Sequence, residues 1–215
     1  MEKAHTKTSE KRLFKMNLPN QLSLLRILLT PVFVLLLFMD RFAFQVASLV
    51  VFTVASLSDW WDGYMARKFG EITIIGQFLD PLADKILVSS GLICFSVLGY
   101  IPAWMVFVIV IRDFLMTTLR SYAILKGNPV KTSRIAKWKT FFQIAVVYIA
   151  FLIHVLSGKL MQPVFLWIEN AHLLLILMSL VTTLTILTLI IYLRNNRDQT
   201  IAFIKEFAGF FTSIS

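Results

Sequence analysis

The sequence predicts an all-α, polytopic membrane protein of six transmembrane helices with both termini in the cytoplasm. Three observations predict it. Hydrophobic residues make up 58% of the 215 and charged residues 15%, against roughly half and a quarter in soluble domains. The apolar residues gather in long blocks, and a stretch of about 18 or more reads as a membrane span. The basic residues fall on alternate connections between those blocks.

The blocks run about 22–39, 42–57, 86–98, 101–125, 141–156 and 173–193. Some are short for a bilayer of about 30 Å, so their helices are expected to extend into flanking polar sequence. None shows period-2 polarity, and open sheet edges cannot lie in lipid. The chain divides into a cytoplasmic segment, 1–16, a six-helix domain, 17–195, and a cytoplasmic tail, 196–215. In the tail Ile201, Ile204, Ala208 and Phe211 recur near helical spacing, with Phe203 and Phe210 widening the apolar surface. This predicts an interfacial helix.

Orientation follows from Lys and Arg. With the N-terminus inside, 16 fall on cytoplasmic segments and two, Arg41 and Lys159, outside. Arg26, Arg112 and Arg120 lie within spans. The outer connections at 40–41 and 99–102 are too short for a domain, so chemistry is expected to face the cytoplasm from the inner (cytoplasmic) membrane. The net charge of +9 is dispersed among segments flanking apolar runs, which suits topology and anionic lipid and argues against nucleic acid. Cys94 is the only cysteine and lies in an apolar run, so it reads as packing. No apolar stretch precedes Leu22, and no removable signal peptide is expected.

Between the second and third blocks the acidic residues form a pattern. Asp59 and Asp62 are three apart, followed by Gly63, Ala66 and Arg67; eight residues later come Gly76, Asp80 and Asp84, spaced by four. On helices each set lies on one side. The expectation is two antiparallel helices joined by a turn near Gly70, with Pro81 in a first helical turn. Four converging carboxylates repel one another, and ionisable groups at membrane depth are costly and usually functional. A divalent cation held by Asp59, Asp62, Asp80 and Asp84 resolves the repulsion. Oxygen-only ligands favour a hard ion, Mg²⁺ or Mn²⁺. The small residues open room for a bulky ligand, and Arg67 with the metal suits a diphosphate. The glycines also permit close helix packing.

The spacing D-x-x-D-G-x-x-A-R, eight residues, G-x-x-x-D-x-x-x-D, from Asp59 to Asp84, resembles the signature of the CDP-alcohol phosphatidyltransferase family. The opening, Asn17-Leu18-Pro19-Asn20-Gln21-Leu22-Ser23-Leu24-Leu25-Arg26, is similar to that of the family's bacterial phosphatidylglycerophosphate synthases, with Ser23 in place of the usual Thr. So are Arg112-Asp113, Leu119-Arg120, Lys137-Trp138-Lys139-Thr140 and Gln143, with Asp113 where the subgroup often has Glu and Ala136 where it has Gly.

The resemblance implies a six-helix fold, usually a homodimer, with a cytoplasmic active site among membrane lipids. Asp59, Asp62 and Asp80 would bind the metal, and Asp84, the fourth carboxylate of that set, would be the base that activates the acceptor hydroxyl. Asn20, Asp59, Gly63, Arg67 and Gly76 would hold CDP-diacylglycerol. The acceptor would be glycerol 3-phosphate, whose own phosphate needs cations: Arg112, Arg120, Lys137 and Lys139. An Arg as deep as Arg112 must face a polar cavity or a partner, so pairing with Asp113 or a metal-site aspartate is the structural alternative. Arg26 reaches the donor phosphate or snorkels. Lys126, Lys131 and Arg134 read as topology charges.

Rival readings keep the chemistry and change the acceptor to phosphatidylglycerol, inositol phosphate or serine, or change the class. Prenyl transfer usually separates its aspartate motifs widely, whereas all four aspartates here lie within 26 residues. A cation transporter leaves Gly63, Arg67 and Gly76 unexplained.

Overall fold

The computed structural model describes residues 18–69, 74–126, 134–157 and 172–212, without the side chains at 18–20, 59–69, 74–80, 125, 134–137, 157, 198–199, 207–208 and 210–212. Among the described residues the only regular structure is helical: α1 Leu18–Leu37, α2 Phe42–Phe69, α3 Ile74–Val97, α4 Ala103–Leu125, α5 Arg134–Ser157, α6 Leu173–Asn195 and α7 Arg197–Thr212. The N-terminal segment 1–16 and the turn at Gly70 lie outside the described residues.

Each of the six apolar blocks becomes a helix, and two reach far into polar sequence. Helix α2 continues past the apolar run to Phe69, and α3 starts at Ile74, well before the run beginning at 86. Pro81 is therefore interior to α3, not in its first turn as the sequence suggested. It removes one intrahelical hydrogen bond, a loss that neighbouring groups can absorb in membrane helices. Pro31 is likewise interior to α1. Helices at 138–156 and 173–195 are long and apolar enough to cross a membrane, with shorter apolar helices at 21–37 and 42–58.

The core is apolar, but so is much of the outer surface, and some polar side chains are buried. Leu35, Val97 and Phe107 are two-thirds exposed, whereas Ser23, Arg26 and Ser48 are fully buried. A surface this apolar needs lipid or another apolar partner.

The chain forms two compact units, 1–94 with 151–165 and 95–150 with 166–215. In the first unit α1 packs along α2. Phe33, Phe52 and Phe151 are fully buried, with ring centroids 5.5, 5.3 and 6.4 Å apart. Ser48 Oγ donates to the Phe33 carbonyl at 2.8 Å. His154 donates to the backbone of Leu37 at the end of α1, a structural role. Cys94 is buried and free, as packing requires.

In the second unit Gly99 closes α3: its N–H reaches Ser96 O at 3.0 Å and the Tyr100 N–H reaches Phe95 O at 2.9 Å. This paired cap needs a left-handed residue, and Gly99 has φ 84°. Phe95 and Tyr100 then meet edge to face at 6.0 Å. Helix α4 packs on α6, whose buried stripe is Leu174, Met178, Val181, Thr182, Thr185 and Thr188. The threonine hydroxyls turn back onto their own helix, as Thr182 does to Met178 O at 2.7 Å and Thr185 to Val181 O at 2.7 Å. That leaves no hydroxyl proton unsatisfied in an apolar setting.

Helix α7 is fastened to the end of α4. Tyr122 Oη donates to Glu206 Oε2 at 2.6 Å, Lys126 Nζ lies 3.0 Å from the same oxygen, and Phe203 meets the Tyr122 ring at 5.2 Å. Lys126, a topology charge by sequence, thus has a second role. The Tyr122 hydrogen bond, then the Lys126 ammonium, holds the Glu206 carboxyl below its ordinary value. A depressed carboxylate contributes stability above its unfolded pKa and loses it as pH falls through the folded one. Amide protection factors in 197–212, taken against the intrinsic exchange rate at each pH, should therefore hold steady near neutrality and fall once pH drops below the ordinary value of 4.5. Glu206→Gln should show the lower protection already at pH 7. Both side chains are more than half exposed, so salt should weaken the difference.

Candidate active site

The acidic constellation divides between consecutive helices of the first unit. Asp59, Asp62, Gly63 and Arg67 stand on α2, and Gly76, Asp80 and Asp84 on α3. The regular backbone through both stretches keeps the i, i+3 and i, i+4 relations the sequence implied. Of this set only Asp84 has a described side chain; those of Asp59, Asp62, Arg67 and Asp80, like those of Asn20 and Lys137, lie outside the described residues.

The Asp84 carboxylate is 21% exposed, and the Lys85 ammonium stands 3.3 Å from its Oδ2. It is therefore partly screened yet reachable from outside the protein. The donor set is chemically suited to a hard divalent cation: four carboxylates, with no His or Cys between positions 59 and 84. Among the described side chains no group of three acidic, His or Cys residues gathers elsewhere. Arg26, in the same unit, is fully buried. That excludes snorkelling, which would carry its head to the surface.

The cationic residues belong to the second unit, and there the structure brings Arg112 and Lys139 onto one carboxylate. Asp113 is 2% exposed. Its Oδ1 accepts from Arg112 Nη1 at 3.0 Å and from Lys139 Nζ, and its Oδ2 accepts from Gln143 Nε2 at 3.0 Å. The other end of the guanidinium, Nη2, donates to Thr188 Oγ1 at 2.7 Å. Pairing with Asp113, the structural alternative for Arg112, is thus present. Two cations, Arg112 and Lys139, meet on this one buried carboxylate. Arg112 Nε and Gln143 Oε1 are buried without a hydrogen-bond partner, as is Arg120 Nε. Arg120 does not join the Asp113 cluster.

The hub is more than the sequence offered. Asp113 and Gln143 were visible there only as matches to a subgroup, and Thr188 carried no signal, because its partner is 76 residues away.

Comparison with known proteins bears on this geometry. The profile of the CDP-alcohol phosphatidyltransferase family matches residues 16–175. A Bacillus subtilis protein named CDP-diacylglycerol–glycerol-3-phosphate 3-phosphatidyltransferase is 40% identical over 158 residues, 68% of this chain and 81% of the relative. A Mycobacterium tuberculosis protein named probable phosphatidylglycerophosphate synthase is 40% identical over 147 residues, 67% and 69% of the two chains. A Rickettsia typhi protein with the same name as that of Bacillus subtilis is 35% identical over 156 residues, 71% and 88%. The matched stretch contains the whole aspartate constellation and the Asp113 hub apart from Thr188, and the chain belongs to the CDP-alcohol phosphatidyltransferase family.

Proposed function

We propose that the protein transfers the phosphatidyl group of CDP-diacylglycerol to glycerol 3-phosphate, giving phosphatidylglycerol phosphate and CMP. The observation that carries this reading is the unaltered spacing of Asp59, Asp62, Asp80 and Asp84 on two consecutive helices. The names of the relatives support the donor and the acceptor.

In this reading Asp59, Asp62 and Asp80 hold Mg²⁺ or Mn²⁺, and Asn20, Gly63, Arg67 and Gly76 seat the CDP moiety. The bound ion supplies charge neutralisation at the diphosphate. Asp84 takes the proton from the acceptor's primary hydroxyl. That oxygen bonds to the β-phosphorus, the bond from this phosphorus to the bridging oxygen breaks, and CMP leaves with the electron pair. Arg112, Arg120, Lys137 and Lys139 supply the positive field for the acceptor's phosphate. The buried Nε atoms of Arg112 and Arg120, which lack a hydrogen-bond partner, support that assignment.

The setting we propose is the inner membrane, with six spans, both termini and the active site cytoplasmic, and a homodimeric assembly. The outward apolar surface supports the membrane part. So does the aromatic cluster of Trp138, Phe141 and Phe142 at the start of α5, beside Lys139, since aromatic and basic residues gather at the membrane boundary. Helix α7, with Ile201 and Ile204 exposed and Arg197 and Lys205 alongside, would lie on that boundary.

The test offers purified protein CDP-diacylglycerol and Mg²⁺ with glycerol 3-phosphate, phosphatidylglycerol, inositol phosphate or serine in turn, and weighs the lipid formed. Phosphatidylglycerol phosphate should appear with the first alone. A product with another acceptor instead would reassign the substrate, and no CMP with any of them would overturn the chemistry.

A further inference from the structure

We propose that α7 docks onto an anionic phospholipid monolayer, and that its clasp on α4 decides which of its faces the lipid meets. The proposal rests on the reading of α7 as a helix at the membrane boundary. It goes beyond that reading by naming the lipid chemistry and the face, and it concerns the second unit alone.

Helix α7 does not continue the span before it. Asn196, at φ −126° and ψ 37°, breaks the helix after α6, so α7 is a separate element. The joint is sealed on both sides: Asn196 Nδ2 donates to Tyr192 O at 3.0 Å, and Thr200 Oγ1 donates to Asn196 O at 2.9 Å. At about 100° per residue, Phe203, Glu206 and Phe210 fall on one side of α7. Arg197, Ile201, Ile204, Ala208 and Phe211 fall on the opposite side. The first side is taken by α4. Phe203 meets the Tyr122 ring edge to face, and Glu206 accepts from Tyr122 and Lys126. These contacts turn the other side away from α4, and there Ile201 and Ile204 are exposed.

Charge selects the occupant of that side. The clasp pairs Glu206 with Lys126 and keeps this acid opposite the exposed isoleucines. Beside them Arg197 and Lys205 are exposed, as is Arg194 at the end of α6. These three cations stand against Asp198, the one other acid in α7. An apolar strip bordered by cations suits a surface that is hydrocarbon beneath and negative above, which is a leaflet of acidic phospholipid. A groove on another protein, or a neutral leaflet, would receive the isoleucines and leave the cations without counter-charge. A second element of the unit points to lipid independently. At the start of α5, Trp138 and Phe141 are exposed, and such aromatic side chains settle at the level of the headgroups.

The experiment places a fluorophore at position 204 or 202 through Ile204→Cys or Ala202→Cys, each in a Cys94→Ala background of the full chain. Ala202 is exposed and lies about 160° round the helix from Ile204. Quenching by nitroxide-labelled lipid is read in nanodiscs of phosphatidylcholine with or without phosphatidylglycerol. In the anionic discs position 204 should be quenched and position 202 spared, and salt should weaken the effect. Arg197→Gln and Lys205→Gln should each lower the ratio of docked to undocked α7 about fivefold in anionic discs and leave neutral discs unchanged. Glu206→Gln and Tyr122→Phe should erase the contrast between the two positions. Should Ile204→Cys fail to fold, Ile201→Cys on the same side takes its place with the same expected results. Equal quenching at 204 in anionic and neutral discs overturns the choice of lipid and leaves α7 at the boundary. Equal quenching at 202 and 204 in anionic discs overturns the choice of face. An undiminished contrast in both clasp variants overturns the part given to the clasp. Absence of quenching at either position in every disc removes α7 from the boundary, and the underlying reading fails with the proposal. Energy transfer between two copies labelled at 204 would then assign the face to a second copy of this chain.

Discussion

Asp84→Asn should lower CMP release by about 10²- to 10⁴-fold, the usual worth of a positioned general base, and leave the protein folded. The folding half follows from the surroundings. Asp84 is 21% exposed and its ion pair is with the adjoining Lys85, itself 17% exposed, and such partly solvated pairs contribute about 1 kcal/mol or less. The activity half follows from the chemistry. The amide keeps the shape and can still accept a hydrogen bond, but it cannot take a proton from an alcohol near neutral pH. Single-turnover CMP release, with thermal unfolding alongside, checks both. Near-normal turnover in a folded variant would remove Asp84 as the base.

Phe151→Ala should be the most damaging single change to the first unit. Phe33, Phe52 and Phe151 are all fully buried and meet at centroid distances of 5.3 to 6.4 Å. They tie the end of α5 to α1 and α2, so a cavity there cannot be closed by moving one flexible side chain. Truncating a buried Phe costs about 3–5 kcal/mol, which at this chain length lowers the unfolding midpoint by roughly 6–20 °C. Phe107→Ala is the control, because Phe107 is 66% exposed and should change the midpoint in detergent by little. Equal shifts in the two variants would contradict the core assignment.

The aspartate constellation was readable because all its relations are local. Asp59 to Asp62 and Asp80 to Asp84 are one helical turn each, and the gap between the sets has a fixed length. The apolar runs likewise revealed that six helices exist. They did not reveal how far the helices reach. Helix α2 carries Asp59 through Arg67 in continuous helix, and α3 begins at Ile74 and passes through Pro81, because helical hydrogen bonding continues where hydrophobicity stops. The Asp113 hub was only half readable. Its members lie 26, 30 and 76 residues from their partners, and helical periodicity says nothing about which faces of distant helices meet. The clasp of Glu206 on Tyr122, 84 residues apart, was hidden for the same reason. For Arg112 the sequence posed both a cavity and a partner, and the partner is there.

Mn²⁺ titration of the purified protein with CDP-diacylglycerol, followed by electron paramagnetic resonance, tests most directly whether the carboxylates of α2 and α3 hold a hard cation against the donor's diphosphate. Wild-type protein should bind Mn²⁺ saturably, and Asp59→Asn and Asp80→Asn should each lose that binding while their unfolding midpoints stay close to wild type. Undiminished Mn²⁺ binding in both variants would mean that the ion is held by other residues and would contradict the account.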